Sequence, residues 1–426
     1  MFVIFARPAA IGFPPFPSDN LCVLSIHSSN LSGFVNTTTK CHKQDFRLRF
    51  CTSDRDTSSK GARDMNPANE TERKKLRAQI DEIDETIVRA IIKRLDIARR
   101  IGSTKTGGAV FDPSREREIL DKLVAGHPDL DVSSLEAIYR EIISLCRAAQ
   151  KRLLVASLGP GGSYSHQAAL EALGKSIDIA FFESPGDVIR AVERRETDLG
   201  VIPVENTIEG VVYTSLDNLA SAGPDLAIAM EIVMPVRQVL AGKKGKLEDI
   251  TEVRSHPQAL AQCRIWLSTH LPQASRTPSS STSAAALEAA ASEGVAAVCS
   301  EAAAEGAGLE VLARNIQDHS QNTTRFWVVG NRGDTAPAKT GKISVLFTVA
   351  HKPGSLFHAL EPLRDSGANL MFIQSRPLVA NPFEYLFFVD IEAAPGNDEV
   401  LPALDVMASR CFSFRILGVY PSRTCR

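Results

Sequence analysis

Between residues 153 and 330, four polar loops stand at the ends of apolar runs, and each carries groups that bind anions or move protons. The first is Gly159-Pro160-Gly161-Gly162-Ser163-Tyr164-Ser165, a glycine-rich turn between an apolar strand and a helix. Backbone N–H groups in such a turn can face an anion; taken alone, the segment reads as a tight turn. The second, Pro203-Val204-Glu205-Asn206-Thr207, places polar residues directly after an apolar run. The third is Ser255-His256-Pro257-Gln258, where His256 by itself reads as a helix cap. The fourth, Asn322-Thr323-Thr324-Arg325-Phe326, enters a strand and joins hydroxyls to a guanidinium. Turns and caps account for each loop separately; four in one stretch point to a site at strand ends.

A second chemistry lies upstream. Leu76, Ile80, Ile83, Ile87 and Ala90, then Ile97 and Ile101, follow the alternating steps of a heptad seam, and the seam position after Ala90 is Arg94. A guanidinium on a packed seam is costly unless an anion meets it. That anion is either a structural carboxylate or a ligand inside a helix bundle. Arg77, Lys105 and Arg115 lie nearby in sequence, and Gln150 stands one turn after Cys146 beside the apolar face of a later helix. Several cations and one inward amide suggest a pocket for a small dianion; the alternative is an ordinary charged helix surface.

These groups need elements to hold them. The chain has 426 residues, a formal net charge of −2, 44% hydrophobic and 23% charged residues, which excludes long disorder, a collagen-like chain and a coiled-coil rod. At about 150 residues per domain, two to four domains are expected. The near-neutral balance leaves no basic footprint for nucleic acid. No apolar run approaches the roughly 20 residues that span a membrane. Cysteines at 22, 41, 51, 146, 263, 299, 411 and 425 form no CxxC pair, and no histidine cluster has ligand spacing, so no metal site is expected. Reduced thiols in a cytosol are the expectation. Residues 1–66 are rich in Ser, Thr, Pro and Asn and lack periodicity. They read as a disordered extension, or as upstream of a true start at Met65; a transit peptide to an organelle is the alternative.

From Glu70 the heptad pattern predicts a helix of about 30 residues and roughly 45 Å. That is too long for one small domain to cover, so a partner helix from a second chain is expected. Asp112-Pro113 can cap and open a second helix. A third spans about 133–152, with Leu135, Ile138, Ile142 and Leu145 on one face. From Leu153 short apolar strands alternate with helices: LLVASLG, IAFFE, LGVIPVE, IAMEIVMPV, ITEVRSH, VAAVCS and TRFWVVG. The alanine-rich stretch 284–304 reads as a helix with small side chains. Residues 331–340 form a polar linker. KISVLFTVA, a helix from about Gly354, NLMFIQSRP, FEYLFFVDI, a helix near 397–410 and FRILGVY give the order βαββαβ of a ferredoxin-like domain.

Three family resemblances follow the same order. LRAQIDEID, IIKRLDIARRIGSTK and the Asp112-to-Glu118 run resemble the all-helical chorismate mutase fused at the front of bifunctional P-proteins, over about residues 70–152. The resemblance implies that Arg77, Arg94 and Arg115 hold the substrate's carboxylates, Arg77 reaching in from the other protomer of an intertwined dimer. It implies that Lys105 and Gln150 contact the ether oxygen, and that Asp112 and Glu116 bind the hydroxyl side of the ring. Cys146 departs from relatives with a hydroxyl residue there, a change expected to alter a secondary contact. The rearrangement to prephenate requires no acid, base or nucleophile; it needs a held conformer and charge stabilisation at the breaking C–O bond.

Gly-Pro-x-Gly-Ser-Tyr-Ser, Pro-x-Glu-Asn, Ser-His-Pro-Gln-Ala and Thr-Arg-Phe resemble prephenate dehydratase over about residues 153–330. The implied fold is a two-lobed α/β domain, similar to periplasmic type-2 binding proteins, with the site in its cleft. Thr324 is implied as the catalytic hydroxyl and Arg325 as a carboxylate ligand. Asn206, Thr207, Ser255, His256, Gln258, Phe326 and the loop bearing Ser163 would line the cleft, with Glu205 positioning other groups. The region around Gly354-Ser355-Leu356 and Gln374-Ser375 resembles an ACT domain, which in this family binds phenylalanine at a dimer interface. Gln374 stands where relatives carry Glu, a change expected to weaken capture of the effector's ammonium group. The domains implied are 1–66 extension, 67–152 mutase, 153–330 dehydratase, 331–340 linker and 341–426 ACT. No metal, nucleotide or flavin is implied, and the partners are chorismate, prephenate, phenylalanine and further copies of the chain. Alternatives are arogenate dehydratase, a chain with only one activity, and an amino-acid-sensing protein with a dead cleft.

Overall fold

The computed structural model describes residues 67–104, 109, 111–243, 245–336, 338, 341–378, 385–393 and 399–425. The N-terminal extension and Lys105 lie outside them. Helix α1 (Pro67–Thr104) has 38 residues, longer than the heptad pattern predicts. Its first glycine is Gly102, and i,i+4 pairs such as Glu85–Arg89 at 2.9 Å reinforce its surface. Helix α2 (Pro113–Gly126) opens as expected, with Asp112 accepting from the N–H of Arg115 and proline in the first turn. Helix α3 (Val132–Ala148) is capped by Asp131.

Among the described residues nothing covers the apolar seam of α1: Leu76, Ile80, Ile83, Ile87, Ile97 and Ile101 are all 47–59% exposed. The buried face of α3 differs from the predicted one. Leu135 is buried, but Ile138 and Leu145 are exposed, and burial falls on Ile143, Ser144, Cys146 and Arg147. The helix has two apolar faces, and the α/β region covers one of them. Arg147 donates to the carbonyl of Leu173, and Arg140 pairs with Glu171.

The next region is two α/β lobes. Lobe 1 begins with β1 (Leu154–Leu158), α4 (Tyr164–Leu173), β2 (Asp178–Phe182), α5 (Pro185–Glu193) and β3 (Leu199–Asn206). It continues through β4 (Gly210–Val211), α6 (Tyr213–Ser221) and β5 (Leu226–Pro235). The chain then builds lobe 2 from β6 (Val239–Gly242), a 3-10 turn at Leu247–Asp249, β7 (Glu252–Ser255), α7 (Pro257–Gln262) and α8 (Arg264–His270). Lobe 2 is completed by β8 (Ser275–Pro278), α9 (Thr282–Ala291), β9 (Val295–Cys299), α10 (Glu301–Gly306) and β10 (Glu310–Arg314). Strand β11 (Thr323–Asn331) returns to lobe 1 between β5 and β3, antiparallel to both. The chain crosses between lobes twice, from β5 to β6 and from β10 to β11, and β11 begins beside the end of β3.

The stretch 284–304 is not one helix. The first helical segment ends at Ala291 with Ser292 extended at its C-cap, Gly294 turns the chain at φ +68°, and Val295–Cys299 forms the central strand β9 of lobe 2. Its alanines pack closely: Ala285, Ala286, Ala289, Ala297, Ala303 and Ala304 share one buried cluster.

The C-terminal region follows the predicted order: β12 (Gly341–Thr348), α11 (Ser355–Asp365), β13 (Leu370–Pro377), β14 (Tyr385–Ala393), α12 (Val400–Ser409) and β15 (Ser413–Tyr420). Its sheet is antiparallel in the order β13-β14-β12-β15. Ile343, Val345, Phe347, Val389 and Ile391 pack under the two helices, while Leu346, Phe388, Leu417 and Tyr420 pack on lobe 1. Gly418 makes that approach possible, because a Cβ there would sit 2.2 Å from the carbonyl oxygen of Ile228. Residues beyond the sheet return to lobe 1, where β16 (Ser422–Thr424) pairs in parallel with β5.

Candidate active sites

Thr324, at the start of β11, lies directly across the ladder from Asn206, at the end of β3. The Asn206 amide nitrogen donates to the Thr324 hydroxyl at 2.9 Å and to Asn322 Oδ1 at 2.8 Å. Its oxygen accepts the backbone N–H groups of Ile208 and Glu209 at 2.9 and 3.0 Å. Those two bonds fix which end of the amide is which, since a flipped amide would set N–H against N–H. Thr324 Oγ1 is therefore an acceptor toward Asn206, and its own proton has no protein acceptor among the described residues. The amide chain continues into lobe 2, where Asn322 donates to Gln262 of α7 at 3.2 Å. Asn322 stood in the fourth loop, but no sequence signal marked Gln262. Thr207 is exposed and braces the same corner, accepting from the N–H of Thr323 at 3.0 Å.

The glycine-rich loop leans on the other lobe. Gly162 has φ +81°, and a Cβ there would lie 2.8 Å from Ala303 Cα. Its N–H donates to His166 Nδ1 at 2.9 Å, and its carbonyl accepts from Ser300. Burial lowers the pKa of His166, consistent with a neutral ring that accepts this bond. Ser163 caps α4, with its hydroxyl donating to the Leu158 carbonyl at 2.8 Å.

Several expected cleft residues serve the scaffold instead. Ser255 is fully buried and donates to the Val298 carbonyl at 2.5 Å, so it ties β7 to β9 rather than lining the cleft. Phe326 is buried in the core of lobe 1 with Ile232, Met234 and Val328. His256 caps α7 through Nδ1, and Gln258 is exposed in the first turn of that helix.

Arg325, expected at a substrate carboxylate, leaves β11 on the face opposite Thr324, because successive strand residues face opposite sides. Its guanidinium donates to Glu205 at 2.8 Å, to Glu231 at 2.7 and 3.0 Å, and to Asp390 of the C-terminal sheet. Glu205 accordingly belongs to this cluster and not to the cleft.

In the helical region a single chain assembles part of the expected pocket. Arg94 donates to the Ile142 carbonyl of α3 at 3.4 Å, one turn before buried Cys146 and two before Gln150. Gln150 meets α1 at Gly102, where a Cβ would sit 3.1 Å from its own. Arg77 stands 17 residues before Arg94, about 26 Å along the helix, and does not share that pocket within one chain. Arg115 is exposed and pairs with Glu118 at 2.6 Å. Asp112 is committed to its cap. Glu116 bonds buried Arg147 at 2.5 Å, and burial nonetheless raises its pKa.

At the C-terminal region, Gly354 adopts the left-handed conformation before α11, which Ser355 and Leu356 open. Gln374 and Ser375 lie on edge strand β13 on opposite faces, and β14 separates that strand from β12. Among the described residues no helix is long and apolar enough to cross a membrane, and no group of His, Cys, Asp or Glu is placed to hold a metal.

Comparison with known proteins accounts for these two regions. Residues 76–151 match the family model for chorismate mutase type II, and residues 155–334 match that for prephenate dehydratase. The chain is 41% identical, over 82% of its length and 98% of the relative's, to the bifunctional chorismate mutase/prephenate dehydratase of Aquifex aeolicus. The chain belongs to the bifunctional chorismate mutase/prephenate dehydratase family. The mutase match lies on α1–α3, beginning within α1, and the dehydratase match begins in β1. Solved structures similar to the chain include the prephenate dehydratase of Arthrobacter aurescens in complex with L-Phe. That structure has 31% identity and a TM-score of 0.57, covering 63% of this chain and 90% of that one. A quorum quenching acylase, GqqA, has 30% identity and a TM-score of 0.58, covering 63% of this chain and 98% of the other.

Proposed function

We propose that Thr324 donates the hydrogen bond that assists departure of hydroxide from prephenate, in the cleft between Asn206, Thr207, Gln258 and the glycine-rich loop. In this reaction the C–C bond to the ring carboxylate breaks as carbon dioxide leaves. Its electron pair completes the aromatic ring, and the hydroxyl at the opposite carbon departs, giving phenylpyruvate. Hydroxide leaves poorly unless a donor meets it. The observation that carries the reading is the orientation of Asn206, which makes Thr324 Oγ1 an acceptor on one side and leaves its proton for the substrate.

For the mutase we propose that Arg94, Lys105, Gln150 and Arg115 of one chain combine with Arg77 of a second copy around chorismate, with Asp112 and Glu116 toward the ring hydroxyl. Rigid guanidiniums suit two carboxylates, and a cation with an amide suits the ether oxygen. The uncovered seam of α1 and the distance from Arg77 to Arg94 favour a homodimer built through that helix. The βαββαβ region is proposed to be an ACT domain that binds phenylalanine near Gly354–Leu356 and Gln374–Ser375. The L-Phe complex of the Arthrobacter dehydratase supports that assignment. A cytoplasmic location suits the five free cysteines among the described residues, with an organelle address in residues 1–66 as the alternative.

One assay tests the whole reading. The purified chain is given chorismate and phenylpyruvate is followed, with and without phenylalanine. Phenylpyruvate that falls on adding phenylalanine is the expected result. Prephenate that accumulates without phenylpyruvate overturns the dehydratase assignment and makes arogenate the next substrate to offer.

A further inference from the structure

Arg325 lies opposite an irregular point of β3. The register between β11 and β3 shifts between Arg325 and Phe326, where Val204 of β3 is the extra residue, while β11 pairs without a break with β5 from Thr323 to Val328. Backbone pairing on the β3 side is weaker at such a bulge, and side chains there add to what holds the rotation of β11. On the face away from the cleft, Arg325 is held on three sides. Glu205 belongs to β3 and fully buried Glu231 to β5, the two strands that flank β11. Asp390 belongs to β14 of the C-terminal sheet, where the Ser344 hydroxyl donates to its second oxygen. Lys342 of β12 closes the cluster on Glu231 at 2.6 Å, and the Phe372 ring of β13 lies 5.2 Å from the guanidinium.

We propose that Arg325 is a positioning residue for dehydration: it fixes the rotation of the strand segment that carries Thr324, and takes one of its anchors, Asp390, from the C-terminal sheet. A shared peptide makes the coupling direct, since turning Arg325 about the strand axis swings the Thr324 hydroxyl on the other side. The placement of the C-terminal sheet thereby sets the aim of the reacting hydroxyl. The proposal rests on Thr324 being that hydroxyl.

The test uses the full chain with Asp390→Asn, which keeps the shape of the side chain and removes its charge. Prephenate kcat is expected to fall about 10-fold with KM within about twofold, because misplacement of a reacting group acts on turnover rather than binding. Amide hydrogen exchange at residues 323–326 is expected to quicken, while mutase turnover reports that the chain is folded. Ser344→Ala, which removes the hydroxyl that orients Asp390 and also bonds the buried Tyr420 hydroxyl, is expected to repeat the pattern at smaller amplitude. If Asp390→Asn does not fold, Ser344→Ala decides by the same criteria. Unchanged exchange or unchanged kcat overturns the proposal. A rise in KM larger than the fall in kcat also overturns it, because Arg325 would then be acting on the substrate. Thr324→Ala serves as a control: if it retains dehydratase turnover, the role of Thr324 fails, while the exchange experiment still reports on the anchoring.

Discussion

Asn206 and Thr324 face each other across the ladder at 2.9 Å, and the bond runs in one direction only, from amide to hydroxyl. That direction leaves the Thr324 proton without an acceptor among the described residues, and the role proposed for Thr324 uses that proton. Thr324→Ala removes it, and prephenate turnover is expected to drop by about 10²-fold or more, the usual scale for a positioned proton donor. Mutase activity is expected to remain. Equal loss of both activities would mean that the substitution damages the fold and not the chemistry.

Asn206 should matter through geometry. Asn206→Ala leaves Thr324 free to rotate and the N–H groups of Ile208 and Glu209 without their acceptor. Asn206→Asp keeps that acceptor but places a second oxygen against Thr324 Oγ1, so the hydroxyl must turn and donate to it. Both variants are expected to lose about 10-fold or more in kcat. An aspartate variant with wild-type kcat would show that the direction of this bond is irrelevant.

The strands that carry this site were legible because each is an apolar run bounded by turn residues. The same logic fails for β6, only four residues long, and for β16, whose Ser-Arg-Thr carries no apolar signal. The acidic surroundings of Arg325 were not legible in its motif, because a strand sends neighbouring residues to opposite faces. A clue was present in the acids. Glu231 and Asp390 each interrupt an apolar strand, and a buried carboxylate there requires a cation. The two faces of α3 could not be ranked from periodicity alone, since both are apolar and the described residues of the α/β region bury one of them.

The glycine-rich loop carries a pH dependence. His166 accepts from the N–H of Gly162, and burial holds its pKa below the ordinary value. The unfolded chain then takes up the proton first as pH falls. The stability contributed by the neutral ring is fully present above about pH 6.5 and is lost as pH falls through the lowered value. His166→Gln has no titrating ring and is expected to flatten this acid limb in denaturant midpoints. An identical limb in the variant would place its origin elsewhere.

The contact of the C-terminal sheet with lobe 1 has a backbone requirement. Gly418→Ala would drive a Cβ to 2.2 Å from the Ile228 carbonyl oxygen, which cannot swing aside as a side chain would. Overpacking of this kind costs about 1–3 kcal/mol, and the two strands must separate to relieve it. A lower denaturation midpoint is expected, with the mutase helices least affected. An unchanged midpoint would mean that the two surfaces separate without loss.

The mutase pocket makes the strictest demand on assembly. Arg77 and Arg94 lie about 26 Å apart on one straight helix, so a pocket using both must draw them from different chains. Arg77→Ala and Arg94→Ala are each expected to lower chorismate turnover by about 10²-fold or more, the scale of losing one preorganised charge contact. In an antiparallel pair of α1 helices the two defects fall in different pockets when both sit on one chain, or in the same pocket when each sits on its own. Mixing the two single variants and allowing subunits to exchange therefore restores one intact pocket per heterodimer, with about half its wild-type activity. Recovery should track the fraction of heterodimer measured by native mass spectrometry. Heterodimers that form without regaining turnover would rule out a pocket shared between chains, and the uncovered seam of α1 would then need another explanation.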